Sequence, residues 1–505
     1  MRLPFLLLLG VLSGSVRASL PDGVDENAIR QAALGVFPDY FQLLSLPSVS
    51  AEPADIQKNA DWLGKAFEKR GFKATELANK GKPLVFASYE GNKGKRPTIL
   101  FYMHFDSQPV IPSQWSQKDP WNPVVKRRGA DGIWQEVDRS LLFRPDFDPE
   151  LRVFARASAD DKGPIAMFLA SFDLLRGKKM APAVNVKVLL DSEEEANSAG
   201  IPDVVANNRE LLTADALVLF DAAEHPSGRP TILFGNRGMT PLTLTVYGPK
   251  VPLHSGHYGN YAPNPAQRLA RLLAGMKDDE GRVTIPGYYD TTHLTDQDRK
   301  ILAEVPDDET ALRKRLGIAE PEKVGANYQE ALQYPTLNVR GMAAGGVGEK
   351  AATIIPAQAV AEIDLRTTVE AEGPYLAGLV KSYVERQGYF LVDHEPADVE
   401  RAEHGKIAQL KVGKGDEAAR QEMDSPVGHW AEKALKMSSG VEPVRLRQMG
   451  GTVPTAEIVG PLKLPFLLVP VVNADDNQHT YDENLRIGQF LTGMRSMLGL
   501  LLTAY

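Results

Sequence analysis

The chain has 505 residues, 57 Lys and Arg against 65 Asp and Glu, and no cysteine. That length allows two to four domains with ample cores, and 43% hydrophobic with 24% charged residues is an ordinary globular balance. Without Cys there are no disulfides, thiolate nucleophiles, Cys-ligated zinc or iron–sulfur clusters, and a formal net charge of −8 argues against nucleic-acid binding, which asks for a basic face.

The chain opens with Arg2, an apolar run over 3–12, and the small-residue end Val16-Arg17-Ala18-Ser19. This reads as a secretory signal (residues 1–18) cleaved after Ala18, and predicts a secreted or periplasmic protein. The run is too short to span a membrane, and no other stretch approaches the ~20 apolar residues required. From 28 to 72 the pattern is helical, with Ile56, Leu63 and Phe67 on one stripe. The runs 98–103, 184–190 and 216–220 are continuously apolar in the manner of buried strands, and a helical pattern over 163–175 lies between the first two. Strands alternating with helices predict an α/β domain with a mostly parallel sheet.

After Gly238 the texture changes. Residues 242–247 and 360–365 alternate apolar and polar, as half-buried antiparallel strands do. Asn264-Pro265 opens a helix over 264–276, and a polar, proline-punctuated stretch from 278 to 324 adds loops and helices. Buried-strand character returns at 465–472. The expected architecture is a discontinuous α/β catalytic domain (19–240 and 423–505) with an inserted α+β lid and dimerisation domain (241–422).

Acidic and His residues gather where those strands end. The first apolar run leads into His104-Phe105-Asp106, the second into Asp191-Ser192-Glu193-Glu194-Glu195, the third into Asp221, and the last into Asp475-Asp476-Asn477-Gln478-His479. Asp160-Asp161-Lys162 stands ahead of the 163–175 helix. Ligands of open α/β sheets bind beyond the carboxyl ends of the strands. One acidic loop there is ordinary surface; five clusters at successive element ends are not. Massed carboxylates repel unless a cation neutralises them, and oxygen and imidazole donors suit zinc or manganese.

His104-Phe105-Asp106, Asp160-Asp161-Lys162-Gly163-Pro164, Glu194-Glu195-Ala196-Asn197-Ser198, Leu253-His254-Ser255-Gly256 and His479 occur in an order that resembles a co-catalytic dizinc metallopeptidase family. That family includes carnosinase-like dipeptidases, glutamate carboxypeptidase, aminoacylase and succinyl-diaminopimelate desuccinylase. The likeness runs from about residue 40 to the C-terminus and is strongest to the carnosinase-like branch. It implies two divalent metal ions, zinc or manganese. Asp160 would bridge them, with His104 and Asp221 on one ion and Glu195 and His479 on the other. Asp106 would orient His104, and Glu194 would be the general base; Glu193 with Glu194 is the alternative register. A cis peptide after Asp160 is implied as well.

The resemblance further assigns His254 to the tetrahedral oxyanion, reached across a homodimer built through the inserted domain. It assigns Arg366 and the Gly450-Gly451-Thr452 segment to a substrate carboxylate, and Thr353 to a second substrate contact. Met103, Ala155, Ala157 and Thr452 depart from the residues usual in relatives, and none of these changes removes a ligand or the base. The segment 111–148 reads as an enlarged loop whose Trp115, Trp121 and Trp134 pack it, and 341–348 as a turn. The function expected is hydrolysis of dipeptides or short peptides with a free C-terminal carboxylate. An N-acyl amino acid deacylase or desuccinylase is the second reading, and a metal-free binding homologue a remote third.

Overall fold

The computed structural model describes residues 20–92 and 94–505; the signal segment expected at 1–18 lies outside the described residues. The helical stretch expected over 28–72 is two helices. Asp25 accepts from Ala28 N (2.8 Å) and caps Glu26–Leu44, and Pro53, at a position that needs no N–H, opens Pro53–Glu68.

The main sheet has eight strands in the order Phe72–Leu77, Leu84–Tyr89, Asn185–Asp191, Thr98–His104, Ala216–Leu219, Phe466–Leu468, Thr231–Leu233, Val444–Leu446. The central four run parallel, and antiparallel pairs lie towards the edges. Alternate residues of Thr98–His104 serve opposite cores. Ile99, Phe101 and Met103 join Phe37, Phe168 and Met494, from helices on one face. Leu100 and Tyr102 join Ile201, Val204 and Ile458 on the other. Burial on both faces is why these strands read as unbroken apolar runs. The run at 465–472 forms ladder only over Phe466–Leu468, because Pro470 has no N–H to donate.

A second sheet is ordered Thr336–Ala343, Gln358–Thr367, Gly238–Tyr247, Ile407–Val412, Phe390–Leu391. Its first four strands are antiparallel. Every second residue of Gln358–Thr367 is buried, against the helices Pro265–Ala274 and Gly373–Arg386. Gly341 belongs to the strand Thr336–Ala343, beside a bulge, rather than to a turn.

The segment expected as an enlarged loop holds a hairpin, Val124–Arg128 with Trp134–Val137, turned by Gly132 at φ +81°. Arg152–Phe154 and Asn484–Arg486 extend it to four strands. Trp134 packs edge-on against Phe154, with ring centroids 5.3 Å apart. This small sheet pairs Asn484 with Phe154, and so brings the His479 loop beside Asp160. Among the described residues no helix is long and apolar enough to cross a membrane.

Candidate active site

Five chain segments converge at the carboxyl ends of the central strands. His104 closes its strand with its ring wholly buried; Nε2 lies 2.8 Å from Asp160 Oδ1 and Nδ1 3.3 Å from Asp106 Oδ1. Asp106 also accepts from the backbone N–H groups of Glu194 (3.0 Å) and Glu195 (3.1 Å). One buried carboxylate thus sets both the imidazole and the acidic turn. Asp161 Oδ2 accepts from His104 N (3.1 Å) across the cis Asp160–Asp161 peptide.

His479 reaches in from the C-terminal segment, with Nε2 3.0 Å from Asp160 Oδ2 and 3.3 Å from Glu195 Oε2. Its φ of +62°, with +59° at Asn477 and +57° at Asp482, marks a loop held in the left-handed region, a cost most often met at functional sites. Donor atoms of His104, Glu194 and Asp221 lie within 4.8 Å of one another, and so do those of Asp160, Glu195 and His479. Glu193 turns away to Lys82, Asn79 and Gly200 N. Lys162 also points away, donating to the carbonyls of Leu43 (3.1 Å) and Leu46 (2.6 Å).

Burial is the largest influence on Glu194 and pushes its carboxyl well above the usual range, with Asp221 adding to it. Glu195 is pushed up to about 7 by burial and then by Asp160. Burial also tends to raise Asp160, but hydrogen bonds and charge from His104 and His479 outweigh it and hold that carboxyl low. His479 is raised to about 9, first by its hydrogen bond to Asp160. Among the described residues no Lys or Arg lies within 4.0 Å of Asp160, Glu194, Glu195 or Asp221. Four buried or half-buried acids whose only ionic partners are imidazoles, with no thiol present, fit a pair of divalent cations.

These groups line a cavity of about 410 Å³ whose far wall comes from the second sheet. Arg366 lines it, donating from Nη1 to Thr452 Oγ1 (2.9 Å), and Gly451 lies alongside. His254 and Thr353 are not among its lining residues. They sit together on the exposed ribbon Leu253–His254 with Ile354–Ile355, where Ser255 N donates to Thr353 O (3.1 Å).

Sequence reasoning missed Glu483. It is wholly buried and receives Ala157 N (2.9 Å), Ala159 N (2.8 Å), Asp160 N (3.0 Å) and Arg156 Nη1 (2.8 Å). Arg156 in turn donates to Thr480 O (2.9 Å). This pair fastens the Asp160 loop to the His479 loop. The available signal was a glutamate four residues beyond a suspected ligand. Gln108 was missed too; its Nε2 donates to Glu195 Oε2 at 2.7 Å.

Residues 234–389 match a peptidase dimerisation domain. The Cys-Gly metallodipeptidase of Schizosaccharomyces pombe is 26% identical over 479 residues, covering 90% of this chain and 92% of that one. The Beta-Ala-His dipeptidase of Mus musculus is 24% identical over 423 residues, covering 82% and 78%. An M20 family metallo-carboxypeptidase from Sulfolobus solfataricus superposes with a TM-score of 0.74 at 27% identity, over 92% of this chain and 98% of its own. Human carnosine dipeptidase 1 shares the fold, with a TM-score of 0.73 at 19% identity over 94% and 97%.

Proposed function

We propose that this chain, a metallopeptidase of the M20 type, hydrolyses the amide bond of dipeptides or short peptides that end in a free carboxylate, at a centre of two divalent cations. The observation that carries the reading is one cavity lined both by the Asp160, Glu195 and His479 cluster and by the Arg366–Thr452 pair. It joins a site for Lewis-acid hydrolysis to an anchor for an anionic chain end. The dipeptidase relatives support this substrate class.

Asp160 would face both ions, with His104 and Asp221 on one and Glu195 and His479 on the other. When bound, such ions polarise the scissile carbonyl and acidify a water. The remaining steps belong to the protein. Arg366 and Thr452 hold the C-terminal carboxylate, for which a guanidinium fork is suited. Gly451 leaves that approach free of a side chain. Glu194, as the ionised carboxylate, takes the proton of the attacking water and passes it to the departing amine nitrogen. Asp106 keeps His104 and the Glu194–Glu195 turn in register.

His254 would serve the oxyanion from a second copy of the chain, since it stands on an exposed ribbon. The inserted unit also carries Tyr261 and Val347, 88% and 85% exposed, which suits a homodimer formed through it. Export with cleavage after Ala18 is part of the proposal; N-terminal sequencing of the protein recovered outside the cytoplasm checks it.

The test is a panel of dipeptides beside N-acetyl and N-succinyl amino acids, with zinc or manganese supplied. Turnover of dipeptides is expected. Turnover confined to N-acyl substrates would instead make the chain a deacylase, since Arg366 serves either carboxylate.

A further inference from the structure

Arg237 lies between the strands Gly235–Asn236 and Gly238–Tyr247 and is buried, at 9% exposure. Its Nε donates to Gly450 O (3.3 Å), and neither Nη nitrogen has a hydrogen-bond partner among the described residues. No carboxylate among those residues lies within 4.0 Å of it. Buried arginines are normally paired, because a charge without a counter-ion is costly away from water. Burial, and after it the charge of Arg366, bring the guanidinium down to about 10, so it stays cationic at neutral pH.

The backbone sets this cation behind the carboxylate anchor. Gly235 O accepts from Met449 N (2.8 Å), and Arg237 N donates to Met449 O (3.3 Å), which brings Gly450 alongside the guanidinium. A Cβ on Gly450 would stand 3.1 Å from Arg237 Nη2; a glycine leaves that seat open. Arg237 and Arg366 therefore both meet the 450–452 segment, one at Gly450 O and the other at Thr452 Oγ1 (2.9 Å). Between them they have one acid in ion-pair range. It is Asp364, 4.0 Å from Arg366 Nε, and it already accepts from Asn338 Nδ2 (2.8 Å). Asp416 and Glu457, the cavity's acids outside the metal clusters, lie beyond that range of both arginines, and burial raises their carboxyls. One positive charge is left over at the segment that meets a substrate carboxylate.

We propose that Arg237 is the second cation of the carboxylate anchor, a positioning residue whose unpaired charge makes the site demand a free C-terminal carboxylate. It acts through its charge and through the 450–452 segment, not by contact with the reacting atoms. The inference rests on the carboxylate anchor proposed above. The experiment measures kcat/KM for Ala-Leu and for its C-terminal amide, with zinc or manganese, in the wild type, Arg237→Gln and Arg237→Lys. Gln carries Nε2 where Arg carries Nε, so the first variant keeps a donor for Gly450 O and removes the charge. The second keeps the charge and gives up the planar donor. The wild type is expected to prefer Ala-Leu to the amide by at least about tenfold, the order of one hydrogen bond to a charged group. Arg237→Gln should lower that preference about tenfold, the effect of one partly screened charge, and Arg237→Lys should hold it within about threefold. A residue that only braced the segment would slow both substrates alike and leave the preference unmoved. An unmoved preference in Arg237→Gln with a wild-type melting profile therefore overturns the assignment. So does a lost preference in folded Arg237→Lys, which keeps the test open if Arg237→Gln fails to fold. A wild type that cleaves acid and amide alike removes the carboxylate anchor itself, and one that cleaves neither removes the peptidase reading; this inference falls with either.

Discussion

Glu483→Gln isolates the clamp between the two ligand loops. Glu483 accepts four donors, two on each oxygen: Ala159 N and Asp160 N on Oε1, and Ala157 N and Arg156 Nη1 on Oε2. An amide keeps the shape but replaces one oxygen with an NH2 group. Whichever way it is turned, two buried donors face another donor. Each acceptor lost in the interior costs roughly 1–3 kcal/mol, and removing one partner of a buried ion pair costs about 3–5 kcal/mol. Arg156 is 4% exposed at its side chain and would be left facing an amide carbonyl or an NH2 group in place of its carboxylate. A loss of about 3–5 kcal/mol in unfolding free energy follows, measured by urea denaturation of the metal-free protein. Because the clamp carries Asp160 and the His479 loop, zinc affinity by chelator competition should fall about 10–100-fold. Glu483→Asp keeps the charge with a shorter reach and should fall between. A Glu483→Gln protein with wild-type urea midpoint and zinc affinity would refute the reasoning.

Glu194→Gln should abolish turnover, by at least about a hundredfold if Glu194 is the general base, while bound metal by elemental analysis stays at the wild-type level; substantial residual activity would remove Glu194 from that role. Mixing an inactive His254→Ala chain with an inactive Glu194→Gln chain should restore activity if the oxyanion imidazole is supplied across a dimer, and verified mixed dimers without activity would place it in cis. Glu224 gives a stability signature away from the chemistry. Burial raises its carboxyl from 4.5 to about 7, against the opposing hydrogen bond from Gln489. The folded protein therefore binds this proton more tightly than the unfolded chain does. That contribution is complete below about pH 4.5 and is lost as pH rises through about 7, by about 3 kcal/mol at most. Glu224→Gln, which keeps an oxygen for Gln489, should gain stability over the wild type between pH 5 and 8. Equal urea midpoints for the two at both pH values would count against it.

Periodicity made the elements that face one core legible. Residues 98–103 and 216–220 are apolar throughout because both faces of the central sheet are covered, and Gln358–Thr367 alternates because its other face is not. The hairpin within 111–148 was not legible, since its strands are short and charged, and the sheet they join is completed by Arg152–Phe154 and, beyond it, by Asn484–Arg486 from the far end of the chain. Pro470 cut short a run whose composition alone reads as continuous strand.

For the site, the sequence by itself determined which donor types are available. With no thiol anywhere, His and carboxylate clusters at strand ends are the ligands a metal could have, because residue chemistry and strand-end position are local properties. Which acids face one another was decided only by the fold. Glu194 and Glu195 enter the cavity while Glu193 meets Lys82, a choice made by one residue of register in a turn held by Asp106. Glu483 acquires its meaning only from neighbours far along the chain, Arg156 and Asp160 among them. A buried charge or a cavity wall is a property of packing, and packing sums contacts over distances in sequence that no local pattern records.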